Sequence, residues 1–477
     1  MSKDPKKLSR REAIRKTGAA AALGGVVGSW TAPAAAQSHP NNICEILEKR
    51  IGETPFIDTH EHLIEEEERL QVNHPRIKAN DWSFLLSHYI DSDLIVSGMS
   101  SKDRDAFLAS EVDPIRKWDL IEPYWPAVRD SGYGQAVEIA MRELYGVGEL
   151  SRRNIPRIQE EYLKLIRPGF YKEVLGKIAN IESCQVNCLS SPFSESQQPL
   201  LLMQDISFLG MHMGPNINAY APKAGIEVKD LSDWYSVIDW WFEHYGPYAV
   251  AIKSQAAYSR NLDYEDVPAE RAEAVFKKRL DNTPLSDEEK KRLEDHLFWY
   301  CVRKAVEWNL PVKLHTGYYA GCNRMPLSRL QGNPGAITGL CLKAPDAKFV
   351  FMHICYPYYE ELIAAAKQYS NAYIDMCWAW IINPSASADF LQHYLGAAPS
   401  NKLLTFGGDY IPVEPVVGHA FLARLGIRNA LSRMVDEGWL TLDRALALVE
   451  PIMNGNARRL FQLEKKTDAL RKAPWIK

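Results

Sequence analysis

Pro55-Phe56-Ile57-Asp58-Thr59-His60-Glu61-His62-Leu63 begins as an apolar strand and ends in two histidines. Along an extended strand, side chains i and i+2 share a face. His60 and His62 therefore project together from the strand's C-terminal end, the arrangement two imidazoles need to grip one metal ion. Glu61 points the other way, which predicts a supporting role behind the pair. The acidic run Glu65-Glu66-Glu67-Glu68 that follows reads as a solvated helix start.

Seven further β-rich runs follow: Cys184–Ser190, Leu200–Met213, Tyr248–Ser254, Pro311–Gly317, Lys348–Tyr356, Ala372–Trp380 and Leu403–Asp409. Most are continuous apolar segments, such as Phe349-Val350-Phe351-Met352, which marks parallel strands buried on both faces. Helical patterns separate several of them. Ser286-Asp287-Glu288-Glu289 is a capping box opening a helix that aligns Leu293, Leu297, Tyr300 and Cys301. Eight parallel strands with helical crossovers predict a (β/α)8 TIM barrel. A doubly wound open sheet is the alternative, but no glycine-rich dinucleotide loop follows the first strand. Residues 64–181 form a long helical insertion after strand 1, on the face where barrel active sites sit. Within it Val137, Ala140, Met141 and Leu144 keep helical spacing up to Gly146. A second long, charged connection runs from Ser254 to Leu310.

Polar residues close the other runs as well. Lys253 ends the fourth, His315 the fifth, His353 the sixth and Asp409 the eighth, after Gly407-Gly408. Lone polar side chains at the ends of apolar strands are costly unless they meet partners, and a barrel brings all these ends to one face. Imidazole and carboxylate donors suit zinc or another divalent first-row metal.

This ordered set resembles the amidohydrolase superfamily, in its amidohydrolase-related, metal-dependent hydrolase branch. Gly455-Asn456-Ala457-Arg458-Arg459-Leu460-Phe461 is similar to that branch's C-terminal helix motif, and the resemblance spans roughly residues 55–462 with the insertion outside it. It implies that His60, His62 and Asp409 ligate a divalent ion, zinc first and manganese second, with His315 a further ligand or a substrate contact. It also implies that Asp409 shuttles a proton and that His353 polarises substrate or binds a second metal. Lys253 is either a carbamylated bridge between two ions or a substrate or structural contact; one ion is the favoured count.

Residues 1–36 read as an address. Ser9-Arg10-Arg11 precedes the mild apolar run Gly18–Val27, and Ala34-Ala35-Ala36 offers a cleavage site. The order resembles a twin-arginine signal peptide, which predicts a periplasmic or otherwise exported mature chain, residues 37–477, and the export machinery as a partner. Removing the segment, with its seven Lys/Arg and two acids, takes the net charge from −4 to −9. That balance carries no footprint for nucleic acid, and no other apolar stretch reaches the roughly 18 residues of a membrane span. The eight cysteines are scattered, with no C-x-x-C pair, so a disulfide framework is not expected. Cys184, Cys188, Cys355 and Cys377 read as buried small hydrophobes.

Candidate substrate contacts lie in the loops after the strands: Tyr258 and Arg260, Tyr318 and Arg324, Trp378 and Trp380. Glu414 and His419 follow Asp409, and Asp375 reads as a hydrogen-bond acceptor inside the barrel. The leading expectation is a hydrolase that uses metal-activated water on an ester, lactone or amide of a small molecule, with the insertion as a lid. A metal-assisted decarboxylase or a uronate-isomerase-like sugar-acid enzyme is the alternative, and a non-catalytic envelope binding protein is the third. A homo-oligomer is compatible with each.

Overall fold

The computed structural model describes residues 40–71, 77, 79–322 and 325–476. The proposed signal segment, Asn323 and Arg324 lie outside these. Eight short parallel strand positions close a barrel: β1 (Phe56–Glu61), β2 (Ile181–Val186), β3 (Leu202–Gln204, continued as Ile206–Ser207), β4 (Ile252–Ser254), β5 (Val312–Leu314), β6 (Phe349–Phe351), β7 (Ala372–Asp375) and β8 (Leu403–Leu404). Each pairs in parallel with the next along two ladders, one holding β1, β2 and the first half of β3, the other running from the second half of β3 to β8. The break in β3 falls at Asp205, whose amide bonds the Val186 carbonyl while its carboxylate takes the Lys313 ammonium inside the barrel. The ring closes where Thr59 N–H meets the Phe406 carbonyl and Asp409 N–H meets the His60 carbonyl.

The strands are shorter than the apolar runs that announce them. β2 begins at Ile181, ahead of the expected Cys184, because Ile181 pairs with Phe56; beyond Val186 the chain leaves the ladder, and Cys188 lies in a loop, only part-buried. All eight cysteines are free. The barrel interior is layered. At the N-terminal end Ile57, Met203, Val350 and Leu404 pack on Leu460 and Phe461 of the closing segment, so the Gly455–Phe461 motif forms the floor. Above it sits a polar layer in which buried Lys313 bonds Asp205 at 2.9 Å and the Thr59 carbonyl at 2.7 Å. Asp375, as expected, accepts there from Cys377 N–H.

Between β1 and β2 the insertion is helical and has its own hydrophobic core, including Trp82, Phe84, Phe107, Trp118 and Tyr162. The helix Gly132–Tyr145 ends at Gly146 in the left-handed region, the stop signal that its sequence carries. It lies against the helix Pro415–Asp436 so closely that a Cβ on Gly418 would meet the Ala136 carbonyl at 1.8 Å. The capping box at Ser286 opens the helix Asp287–Glu307. No described helix is long and apolar enough to cross a membrane.

The acidic run departs from its reading as a solvated face. Glu66 is buried and accepts from the amides of Gly169 and Tyr171, tying the two ends of the insertion together.

Candidate metal centre

The ends of β1 and β8 bring three ligand atoms, from His60, His62 and Asp409, within 4.8 Å of one another. Asp409 Oδ1 lies 3.1 Å from His60 Nε2 and 3.4 Å from His62 Nε2. His62 donates Nδ1–H to the Asn187 carbonyl at 2.8 Å, which leaves the Nε2 lone pair facing Asp409. Burial holds both imidazoles well below their ordinary pKa, so they stay neutral donors. Two neutral imidazoles and a carboxylate are the donor set of a divalent first-row ion, and these residues fit one such site.

The backbone is strained to build this cluster. Asp409 stands at φ 60°, His353 at 61°, Trp378 at 65° and Tyr89 at 78°. Non-glycine residues in this region cost energy and persist where the surroundings hold them. The preceding Gly408 has no room for a side chain: a Cβ would lie 1.9 Å from Glu61 Oε1. Glu61 accepts from Tyr410 N–H at 2.6 Å, so the residue between the two histidines anchors the β8 loop, a supporting role as its strand face predicts. Burial raises the pKa of both Glu61 and Asp58.

Three more strand-end residues surround the triad. Lys253 Nζ is 3.1 Å from His60 Nε2, and burial pushes its pKa down to about 8. His353 Nδ1 bonds the Cys377 carbonyl at 3.0 Å, and its buried Nε2 has no hydrogen-bond partner among the described residues and stands 3.9 Å from Asp409 Oδ2. His315 stands outside the triad, although it was expected among the ligands. Its Nε2 bonds the Tyr318 carbonyl at 2.8 Å, and burial lowers its pKa to about 3. Its ring packs 4.3 Å from that of His353.

The loop residues divide. Tyr258 packs 4.5 Å from His315, and its hydroxyl accepts from Ala320 N–H. Trp378 stacks edge-on to His353 at 5.2 Å, and Tyr318 lies beside Trp378. Arg260 is not a free substrate clamp: it bonds Glu294 at 2.9 Å and Asp295 at 2.5 Å, because the long connection after β4 carries the acids that neutralise it. Trp380 turns away from the site, donates to the Thr405 carbonyl and packs on Gly426. Glu414 pairs with Arg69 of the insertion at 2.7 Å, and His419 bonds the Gly408 carbonyl behind the site.

Two residues of the insertion reach the centre without any sequence signal. Tyr89 donates its hydroxyl to the Asp409 carbonyl and stacks on both Tyr133 and Trp378. His88 accepts from Ile411 N–H, with its pKa lowered to about 4 by burial. A His-Tyr pair inside a helical stretch has no periodicity that separates it from core.

Fold and site together define a (β/α)8 barrel with a candidate site for one divalent metal ion at the C-terminal ends of its strands. Residues 237–463 match the amidohydrolase family model, from the helix before β4 to the floor of the barrel. His60 and His62 lie outside that match and are joined to it by the closure of β1 on β8. Over 236 residues, 46% of this chain, the protein is 28% identical to protein fluG of Emericella nidulans, and the match spans 26% of that longer protein. The fold resembles glucuronate isomerase from Caulobacter crescentus (TM-score 0.72, 15% identity, covering 90% of this chain and 96% of that one). It also resembles uronate isomerase from Thermotoga maritima (TM-score 0.70, 15% identity, covering 88% and 97%). The family match covers the half of the barrel from β4 onward, and the likeness to the two isomerase structures covers the fold as a whole.

Proposed function

We propose that the protein is a metal-dependent isomerase of small sugar acids, related in architecture to the uronate isomerases. The observation that carries this reading is the insertion after β1: its Tyr89 sits on Asp409, and the barrel with its insertion overlays the glucuronate isomerase fold over 90% of the chain. Aldose–ketose exchange moves a proton between neighbouring carbons and needs an acceptor and a donor on one face. A divalent ion held by His60, His62 and Asp409 would polarise the substrate's carbonyl or hydroxyl oxygen. Asp409 Oδ2 takes the role of proton acceptor. The Tyr89 hydroxyl keeps its proton on the Asp409 carbonyl, since burial and the Asp409 charge both raise its pKa, and so positions Asp409, which takes the proton from one carbon and returns it to the next. His353 Nε2, neutral and without a partner among the described residues, accepts a substrate hydroxyl. The insertion, with its own core, excludes water from the site as a lid.

Proton NMR of the metal-loaded enzyme with D-glucuronate tests the reading. Appearance of the ketose supports it; turnover of an ester, lactone or amide panel without isomerisation would instead establish the hydrolase reading, which the amidohydrolase family match favours. Release of CO2 would mark a decarboxylase. We also propose that residues 1–36 direct export to the periplasm. N-terminal sequencing of the protein from its host should then begin at Gln37, and a retained Met1 would refute it.

A further inference from the structure

A cavity of about 610 Å3 opens over the C-terminal ends of β2, β3 and β4, within the size range of small-molecule sites. Its walls include Ser190, Ser191, Ser207, Gln255, Ser259 and Arg279. Ser207 ends the second half of β3, and Gln255 follows directly on β4. Ser207 also pairs with Lys253 in the ladder, so the cavity borders the strand ends that carry the metal centre.

Three features of the cavity point to a ligand. Arg279, in the last turn of the helix Ala269–Leu280, donates to the Pro215 carbonyl at 2.8 Å, and no carboxylate among the described residues lies within salt-bridge distance of it. Glu294, the one described acid that acts on it, is itself bonded to Arg260. Arg69 and Arg260, by contrast, each meet a carboxylate directly. The guanidinium lies over Gly214, where a Cβ would come 3.7 Å from Nη1. Second, the Gln255 side-chain oxygen is buried without a partner. Third, Ser207 is buried, and its hydroxyl bonds none of the described residues. A part-buried cation among neutral hydroxyls, with no acid to balance it, is complementary to an anion, and the Gln255 oxygen is an acceptor for a hydroxyl.

We infer that this cavity is a recognition site beside the metal centre, in which Arg279 binds the carboxylate of an organic-acid substrate and Ser207 and Gln255 hold its hydroxyls. The substrate class rests on the sugar-acid reading; the anion site rests on Arg279 and the cavity. Isothermal titration of the metal-loaded full chain with D-gluconate, a sugar acid that cannot undergo aldose–ketose exchange, reads binding without turnover. D-glucitol is the neutral control and inorganic phosphate the competing anion. Gluconate should bind at least about ten times more tightly than glucitol, and Arg279→Met should remove that difference while Arg279→Lys keeps part of it. Unliganded melting curves show whether Arg279→Met folds. If it does not, Ser207→Ala reports on the same cavity, where lost gluconate affinity supports the site and full affinity overturns it. Equal gluconate binding by wild type and Arg279→Met, or binding of phosphate alone, overturns the proposal whatever the turnover. Arg279-dependent gluconate binding in an enzyme that isomerises nothing would remove the catalytic reading and leave this site standing.

Discussion

Asp409 holds a left-handed backbone, donates its amide to His60, accepts Tyr89 on its carbonyl and aims its carboxylate at both histidines. Asparagine tolerates the same backbone. Asp409→Asn should therefore fold normally and lose about 10²–10⁴-fold in turnover, read by steady-state kinetics beside a circular dichroism spectrum. Near-normal activity in that variant would remove Asp409 from the mechanism. Gly408 is a stricter position: alanine there drives a methyl group into the Glu61 carboxyl. Gly408→Ala should lower both stability and metal content, measured by denaturant unfolding and metal analysis. His212, outside the triad, is buried and bonds Ser254 Oγ, and burial keeps it neutral. Its folded pKa lies well below the unfolded value near 6.5, so as pH falls through 6.5 the unfolded chain takes up a proton that the folded one refuses. Stability is present above pH 6.5 and declines below it, by up to about 1.4 kcal/mol per pH unit for this one group. Urea unfolding at pH 7 and pH 5 should show the decline, and His212→Gln should lessen it by one group's share, since the other buried histidines keep theirs.

Elements matter through the way the insertion is fastened. Arg69 and Glu414 are both fully buried and join the insertion to the loop after β8, with Tyr162 and Asn80 as further partners of the guanidinium. Breaking a buried pair leaves a charge without compensation. Arg69→Met should cost about 3–5 kcal/mol in urea unfolding. The same variant should reduce turnover, since Tyr89 reaches Asp409 from the same insertion. An unchanged unfolding midpoint would show that the tie carries no load.

At the scale of the molecule, closure of the barrel makes the centre. β1 and β8 lie nearly 350 residues apart in the chain, and their hydrogen bonds place His60 and His62 on Asp409. The triad describes one divalent ion. Metal analysis of the purified protein should give about one equivalent, and its removal by chelator should lower the melting temperature, because an ion bound only to the folded state stabilises it by mass action. Two tightly held equivalents would instead point to Lys253 as a bridging ligand.

The sequence by itself determined the parallel barrel and the pairing of His60 with His62 on one face, because strand burial and the i, i+2 face of β1 are local properties. Asp409 was legible from its place at the end of an apolar run after two glycines, and His353 in the same way. Position along the chain did not decide what each remaining polar residue does. Arg260 reads as a clamp until Glu294 and Asp295, some 35 residues on, are seen to neutralise it, whereas Arg279 reads as an ordinary helix residue until its lack of an acid is visible. Trp378 and Trp380 are two residues apart, yet one faces His353 and the other the outer helices. Tyr89 and His88 gained their place only from the folding of the insertion over the barrel. Hydrophobic period and strand order are written locally; which charges meet, and so which are spent on structure and which remain for a ligand, depends on contacts across hundreds of residues that only the tertiary structure brings together.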